Sequence, residues 1–415
     1  MATIYPFKGH RPRKEHAEAV ASFPYDVVNS EEARELTKDN PKSFLHVVKP
    51  EIDLDPDIDH YDERVYAKGR ENLDQLISSG VLFRDKNPSL YIYSQKMGDH
   101  VQIGLVAGAS VEDYNNDIIK KHEYTREVKE KDRIKHVDTL NANTGPVFLT
   151  YSHDNKIDEL IKKYTASHSP EYDFVAKDGI GHTFWVIDDN SLIQNLVQLF
   201  ADIRFLYVAD GHHRSASAAK VGEMRKAANP NHTGKESYNF FLSVLFPDNQ
   251  LQILDYNRVV KDLNNLSTSD FMIRVEEKFE ISPMDSAYTP EEKTTFGMHI
   301  EGNWYRLKAK TDSWNDHDPV ERLAVAILYN NLLNPILAIG DPRTDERIDF
   351  VGGIRGLTEL ERRVNSGDMS VAFSLFPTSI AELMSIADSG NVMPPKSTWF
   401  EPKLRSGLIV NRLED

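Results

Sequence analysis

The sequence contains no cysteine. That excludes disulfides, thiolate nucleophiles, zinc–thiolate sites and iron–sulfur clusters. It suits a reducing compartment, and a cytoplasmic location is expected. Long apolar runs are also lacking. The stretch "LAVAILYNNLLNPILAIG" from Leu323 is broken by Asn330, Asn331, Asn334 and Pro335. It predicts a buried helix and a following strand, not a membrane span. The N-terminal "MATIYPFKGHRPRK" has no apolar run of the secretory kind. Positive charge is in deficit: 49 Lys and Arg against 65 Asp and Glu give a formal charge of −16. That balance opposes general attraction to nucleic acid or an anionic membrane, so neither is expected as a partner. Neither G-x-G-x-x-G nor G-x-x-x-x-G-K-[ST] occurs.

The 415 residues are 40% hydrophobic, enough for two or three ordered domains. Strand-like and helix-like segments alternate without a regular βαβαβ rhythm, which predicts a mixed α/β, α+β-like fold. "SLYIYSQ" and "VQIGLVAGASV" predict paired strands, and "YDERVYAKGRENLDQLISSG" predicts a helix closed by Gly80. "SFLHVV" predicts a strand, and residues 117–136 predict a helix. Boundaries are expected near 110 and 265. They divide the chain into an N-terminal α/β region (1–110), a core (111–265) and a C-terminal α/β region (266–415).

The most informative stretch is "YVADGHHRSASAAK", Tyr207–Lys220. An apolar strand-forming run, "IRFLYV", precedes it and an alanine-rich helical run follows. The polar residues therefore fall at a strand–turn–helix junction. Gly211 permits a sharp turn, and the next amides then open a helix whose N–H groups and dipole favour phosphate. Arg214 adds a fork for bidentate phosphate bonding. His212 and His213 can donate hydrogen bonds or gain charge near neutrality. Asp210 can hold a hydroxyl, orient a histidine or help coordinate Mg²⁺. Ser215 and Ser217 offer hydroxyls near the first turn. A plainer alternative has Asp210 capping the helix and pairing with Arg214.

A second cluster is "KKHEYTREVKEKDRIKH", Lys120–His136. His122, Arg126, Lys129, Arg133 and His136 are spaced to form one basic stripe on a helix. The stripe is expected to border the Asp210 cleft. Glu123 is the candidate general base, given a nearby cation and partial burial. The competing reading is a solvated helix laced by pairs such as Glu127–Lys131. "HEYT" lacks the second histidine of a zinc-protease motif. Weaker clusters are "YPFKGHRPRK", the Pro24–Tyr25–Asp26 turn, "NANTGPVF", and Lys396–Thr398 in "MPPKST".

Several dispersed motifs give the chain a strong resemblance to the DUF1015 family. They are "PFKGHRP", "FPYDVV", "HEYTREVKEKDR", "ADGHHRSASAA", "GGIRGL" and "MPPKSTWFEPKLRSGL". More distantly, "DGHHRSASA" resembles the phosphate-binding turn of the ParB/sulfiredoxin-like superfamily, including free-serine kinases with an Asp-Gly-His-His-Arg signature. That resemblance implies a phosphate-binding core carrying large additional elements, with Mg²⁺ and ATP or ADP as cofactors. Asp210, Gly211, His212, His213 and Arg214 match the signature. Three function classes remain. The first is a Mg²⁺-dependent phosphotransferase acting on a small hydroxyl metabolite, such as free L-serine. In it, Asp210, His212, His213, Arg214 and Glu123 are catalytic, while Gly211, Ser215, Arg126 and Lys129 help the histidines and Arg214 to hold the nucleotide. The second is a nucleotide-dependent switch or hydrolase. The third is a non-catalytic protein that binds a small phosphorylated ligand.

Overall fold

The alternation in "SLYIYSQ" and "VQIGLVAGASV" folds into an antiparallel pair, Leu90–Met97 against His100–Ser110. Gly98, at φ +59°, makes the turn between them. A computed structural model describes residues 1–413. Their fold is mixed α/β. The chain divides into two compact units: Met1–Leu251 together with the segment from Pro402, and Gln252–Glu401. Residue 110 ends a strand inside the first unit, and residue 265 lies inside the second.

The first unit is built on a nine-stranded sheet. In spatial order its path runs Ile119–Lys120, Leu206–Asp210, Val147–Tyr151, Phe240–Pro247, His100–Ser110, Leu90–Met97, Gly181–Ile187 and Tyr172–Val175, with Ile4–Tyr5 beside His100–Ser110. Central strands such as "VFLTY" are buried along their whole length, as strands covered on both faces are. Leu149, Val208, Leu245 and Phe200 belong to one apolar core. Leu206–Asp210 runs antiparallel to Val147–Tyr151, with a register shift between Val208 and Asp210. Such an irregularity re-aims the residue after it, here the aspartate of the motif.

Two local expectations are corrected. "SFLHVV" does not form a strand; Leu45–Val48 is a short helix, with Leu45, Val47 and Val48 packed against Val20 and Leu73. The helix expected over residues 117–136 runs instead from Glu127 to Leu140. Ile119–Lys120 pairs in parallel with Leu206–Tyr207, so sheet formation overrides helix propensity there. His122 and Arg126 therefore lie on the approach to the helix, and the five-residue stripe is not a single helical face.

The second unit holds a six-stranded antiparallel sheet. Its spatial order is Phe279–Met284, Asn303–Ala309, Thr295–Ile300, Val371–Ser374, Tyr256–Val260 and Ile348–Gly352. A ribbon of Gln252–Leu254 against Trp399–Glu401 joins the two ends of this unit. The apolar stretch from Leu323 gives a short helix, Ala324–Leu328, which widens into a π-turn at Tyr329–Leu333. No helix among the described residues is long and apolar enough to cross a membrane.

Candidate active site

The motif helix, His212–Ala228, starts at Gly211, whose φ of +97° suits glycine alone. A β-carbon there would also stand 3.1 Å from Arg214 Nε. No side chain caps this helix, and Ser215 is the first residue whose amide bonds back into it. The amides of the first turn are therefore donors with no partner inside the helix. Some other helices are capped by a side-chain acceptor, as Asn190–Asp202 is by Asp189, while others, such as Glu127–Leu140, are not.

Arg214 organises the cleft. Its side chain is only 10% exposed. Nη1 donates to the Pro146 carbonyl, while Nε is buried without a partner. Nη2 stands 3.7 Å from Asp210 Oδ2 and 4.0 Å from Asp26 Oδ2, which are ion-pair separations but not hydrogen bonds. The guanidinium thus keeps donors in hand while facing two carboxylates. Burial disfavours its charge, but Asp26 and Asp210 outweigh burial and raise its pKa. Burial likewise opposes the Asp210 anion. Lys403 and Arg214 overcome it and hold the carboxyl well below its usual range. Lys403 Nζ donates to Asp210 Oδ2 at 3.3 Å.

The two histidines have different partners. His212 is buried against His122, with ring centroids 4.4 Å apart at an interplanar angle of 87°. Its Nδ1 is 3.9 Å from Glu123 Oε2, and its Nε2 is buried without a partner. Burial lowers its pKa to about 4 against the pull of Asp210, so it is neutral at pH 7. His122 is pushed well down by burial and then by His212. Neither His122 ring nitrogen completes a hydrogen bond, although the Val208 backbone lies on the side that favours a proton. His213 Nε2 accepts from the Arg126 backbone N–H at 3.1 Å. Burial lowers its pKa as well, with Glu123 opposing.

The fold therefore brings Glu123, the Arg126 backbone and the Asp210–Arg214 turn together. Other expected residues go elsewhere. Ser215 is fully buried and donates to the His212 carbonyl at 3.1 Å, with the Tyr114 hydroxyl also in hydrogen-bonding contact. The Ser217 hydroxyl likewise donates to the Arg214 carbonyl. Lys129 stands over the Tyr61 ring. Arg133 lies 4.1 Å over the Tyr25 ring, and His136 Nε2 is 3.1 Å from the Val47 carbonyl; both support the wall rather than reach the turn. Glu127 and Lys131 do form the surface pair of the solvated-helix reading.

Two participants were not assigned a place beside the motif by sequence reasoning. Asp26 arrives on the "FPYDVV" loop, anchored by reciprocal backbone bonds between Ser22 and Ser406. Lys403 comes from "FEPKLRSGL". The signal available for both was their position inside dispersed motifs. Tyr25, beside Asp26, has its hydroxyl pKa raised by burial and then by the Asp26 charge. Beside Arg214, Tyr25, Arg133, Gly145 and Ser406 border a cavity of about 30 Å³, room for a water or two.

The donor set tests the expectation of Mg²⁺. No group of three metal-ligating side chains occurs among the described residues. Asp210 is already neutralised by Lys403 and Arg214. The residues do not fit a resident ion held by protein alone. They fit an ion arriving on phosphates, which typically keeps one or two carboxylates and several waters.

The family profile described as "Protein of unknown function (DUF1015)" matches residues 4–326. The chain belongs to the DUF1015 family. No curated protein matches the sequence significantly. Among solved structures, a free serine kinase in complex with AMP is similar at 14% identity and a TM-score of 0.36, covering 70% of this chain and 89% of its own. A conserved hypothetical protein from Pyrococcus furiosus has 14% identity and a TM-score of 0.34, covering 70% and 93%. SbnI from Staphylococcus aureus, truncated at its C-terminus, has 11% identity and a TM-score of 0.37, covering 73% and 87%.

Proposed function

We propose that this DUF1015 protein transfers a phosphoryl group from ATP or ADP to a small hydroxyl metabolite. The observation that carries the reading is Arg214: a buried guanidinium with an unpartnered Nε, beside an uncapped helix start and two carboxylates. Donor phosphate rests on the amides of residues 212–214. Arg214 turns its free donors from the carboxylates to the transferring group and stabilises charge there. Neutral His212 donates a hydrogen bond without adding charge. Glu123, 38% exposed, takes the proton of the acceptor hydroxyl. Asp210 would hold a Mg²⁺ carried in on the phosphates, an ion that supplies neutralisation of phosphate charge.

The partly exposed carboxylates Asp26 and Glu123 favour an acceptor that brings a positive group, as a free amino acid such as L-serine does. The Asp-Gly-His-His-Arg signature supports the same choice and a ParB/sulfiredoxin-like core. A second reading, nucleotide hydrolysis, is favoured by the small cavity beside Arg214, which has room for water. Product identity separates them. The protein is incubated with ATP or ADP, Mg²⁺ and a panel of amino acids and small alcohols, and products are followed by phosphorus NMR. A phosphorylated metabolite supports transfer. Inorganic phosphate alone supports hydrolysis, and binding without turnover supports a switch or a binding protein. Absence of nucleotide binding overturns the nucleotide assignment.

A further inference from the structure

The second unit contains a cavity of about 420 Å³, within the range of small-molecule sites. Most of its wall is apolar: Val325, Leu333, Ile348, Phe350, Pro394 and Pro395 all contribute. One cation interrupts that wall. Arg258, on the strand Tyr256–Val260, is 4% exposed and lines the cavity. Its guanidinium donates to the carbonyls of Tyr256, Lys396 and Pro395, the latter two at 2.9 and 3.4 Å. It also stands 5.1 Å over the Phe350 ring. No carboxylate among the described residues pairs with it. Carbonyl dipoles orient a guanidinium but do not neutralise it, and an uncompensated buried charge is strongly unfavourable. Burial alone draws the Arg258 pKa down to about 10, with only Tyr256 opposing.

Two backbone features at this wall are of kinds that recur at ligand sites. The π-turn Tyr329–Leu333 places Tyr329, Asn330 and Leu333 on the cavity. Lys396, whose carbonyl holds Arg258, has φ +58° in a residue that is not glycine. Acidic groups near the wall do not complete the pair. Asp341 is bound to Arg343 at 2.6 Å, and Glu321 is exposed. Neither is among the charges that act on Arg258.

We propose that this cavity binds a small amphipathic monoanion, a carboxylate with an aliphatic or aryl-alkyl body, whose charge pairs with Arg258. One guanidinium balances one charge, and the apolar wall suits a hydrocarbon body better than a phosphate's further oxygens. Every residue lining it belongs to the second unit, and its occupancy does not depend on phosphoryl transfer.

Octanoate, 1-octanol and octylamine share a chain and differ in charge. Each is titrated calorimetrically into the full-length protein at pH 7.5. Octanoate is expected to bind about tenfold or more tightly than octanol, with octylamine weaker still. Arg258→Met is expected to remove that preference and leave octanol within about threefold. Asn330→Trp, at an exposed wall position, fills the cavity and is expected to abolish octanoate binding. It keeps the test available should Arg258→Met fail to fold. Equal octanoate and octanol affinities, a preference for octylamine, or octanoate binding untouched by Asn330→Trp would overturn the proposal. So would the absence of saturable octanoate heat up to about 10 mM.

Discussion

Lys403 Nζ donates to Asp210 Oδ2 at 3.3 Å, joining residues 193 positions apart. The lysine is itself fixed, because its carbonyl accepts from Gln95 Nε2, and Gln102 Nε2 donates to Gln95 Oε1. The Asp210 charge is thus set from the sheet through the C-terminal segment. Lys403→Met leaves Arg214 as the remaining close cation. The Asp210 pKa is then expected to rise, moving the acid limb of a pH–rate profile upward. A stability loss of about 1–2 kcal/mol accompanies it, less than for a fully buried pair because Asp210 is 29% exposed. An unchanged acid limb would show that Lys403 does not govern this ionisation.

Arg214→Lys keeps a positive charge and loses the fork; Arg214→Ala loses both. Both variants are expected to lower kcat for phosphoryl transfer, Arg214→Ala by about a hundredfold or more and Arg214→Lys by less. Kinetics are read beside thermal unfolding. A loss confined to KM would mean that the arginine binds ground and transition states alike. Normal kcat in folded Arg214→Ala would remove it from the mechanism.

Asp26 Oδ2 stands 4.0 Å from Arg214 Nη2, a donor that the proposed phosphate site needs. Removing its charge with Asp26→Asn is expected to tighten nucleotide binding about fivefold. That corresponds to about 1 kcal/mol for a partly exposed charge near 4 Å. Calorimetry with ADP measures it. Weaker binding in the variant would mean that Asp26 helps to hold the ligand.

Four buried histidines make the fold acid-sensitive. Burial lowers His212 to about 4, His136 and His182 to about 3, and His122 well below its ordinary value of 6.5. Each is neutral in the folded chain and takes a proton once unfolded below about pH 6.5. Stability is therefore full above that pH and falls as pH drops from 6.5 towards 4. His212, His136 and His182 each contribute up to about 1.4 kcal/mol per pH unit over that interval, and His122 acts in the same direction. Urea unfolding at pH 7.5 and pH 5.5 is expected to show a marked drop in midpoint. Equal midpoints would mean that these rings protonate in place.

The junction at Asp210–Arg214 was legible because its cues are local: an apolar strand, a glycine and a helical run. Glu123 was singled out as a candidate base from residue chemistry, and the fold sets its Oε2 3.9 Å from His212 Nδ1. The start of the Glu127 helix was not legible, because it depends on Ile119 finding Leu206 in the sheet. Asp26 and Lys403 were missed as neighbours of the motif for the same reason. No spacing within a short stretch records which distant loop will face Arg214. At Ser215 a purely local cue operates: its hydroxyl donates to a carbonyl three residues back, that of His212.

The ribbon that pairs Gln252 with Glu401 has a consequence for how the chain is assembled. Facing residues in such a ribbon have Cα atoms about 5 Å apart. The polypeptide therefore enters and leaves the Arg258 unit through a single doorway. Everything between the jambs is one continuous insertion, residues 252–401, and the residues named at the Asp210 cleft lie outside it in sequence. Splicing Leu251 to Pro402 through a few glycines would shorten the protein while retaining Lys403 and every other member of that cleft.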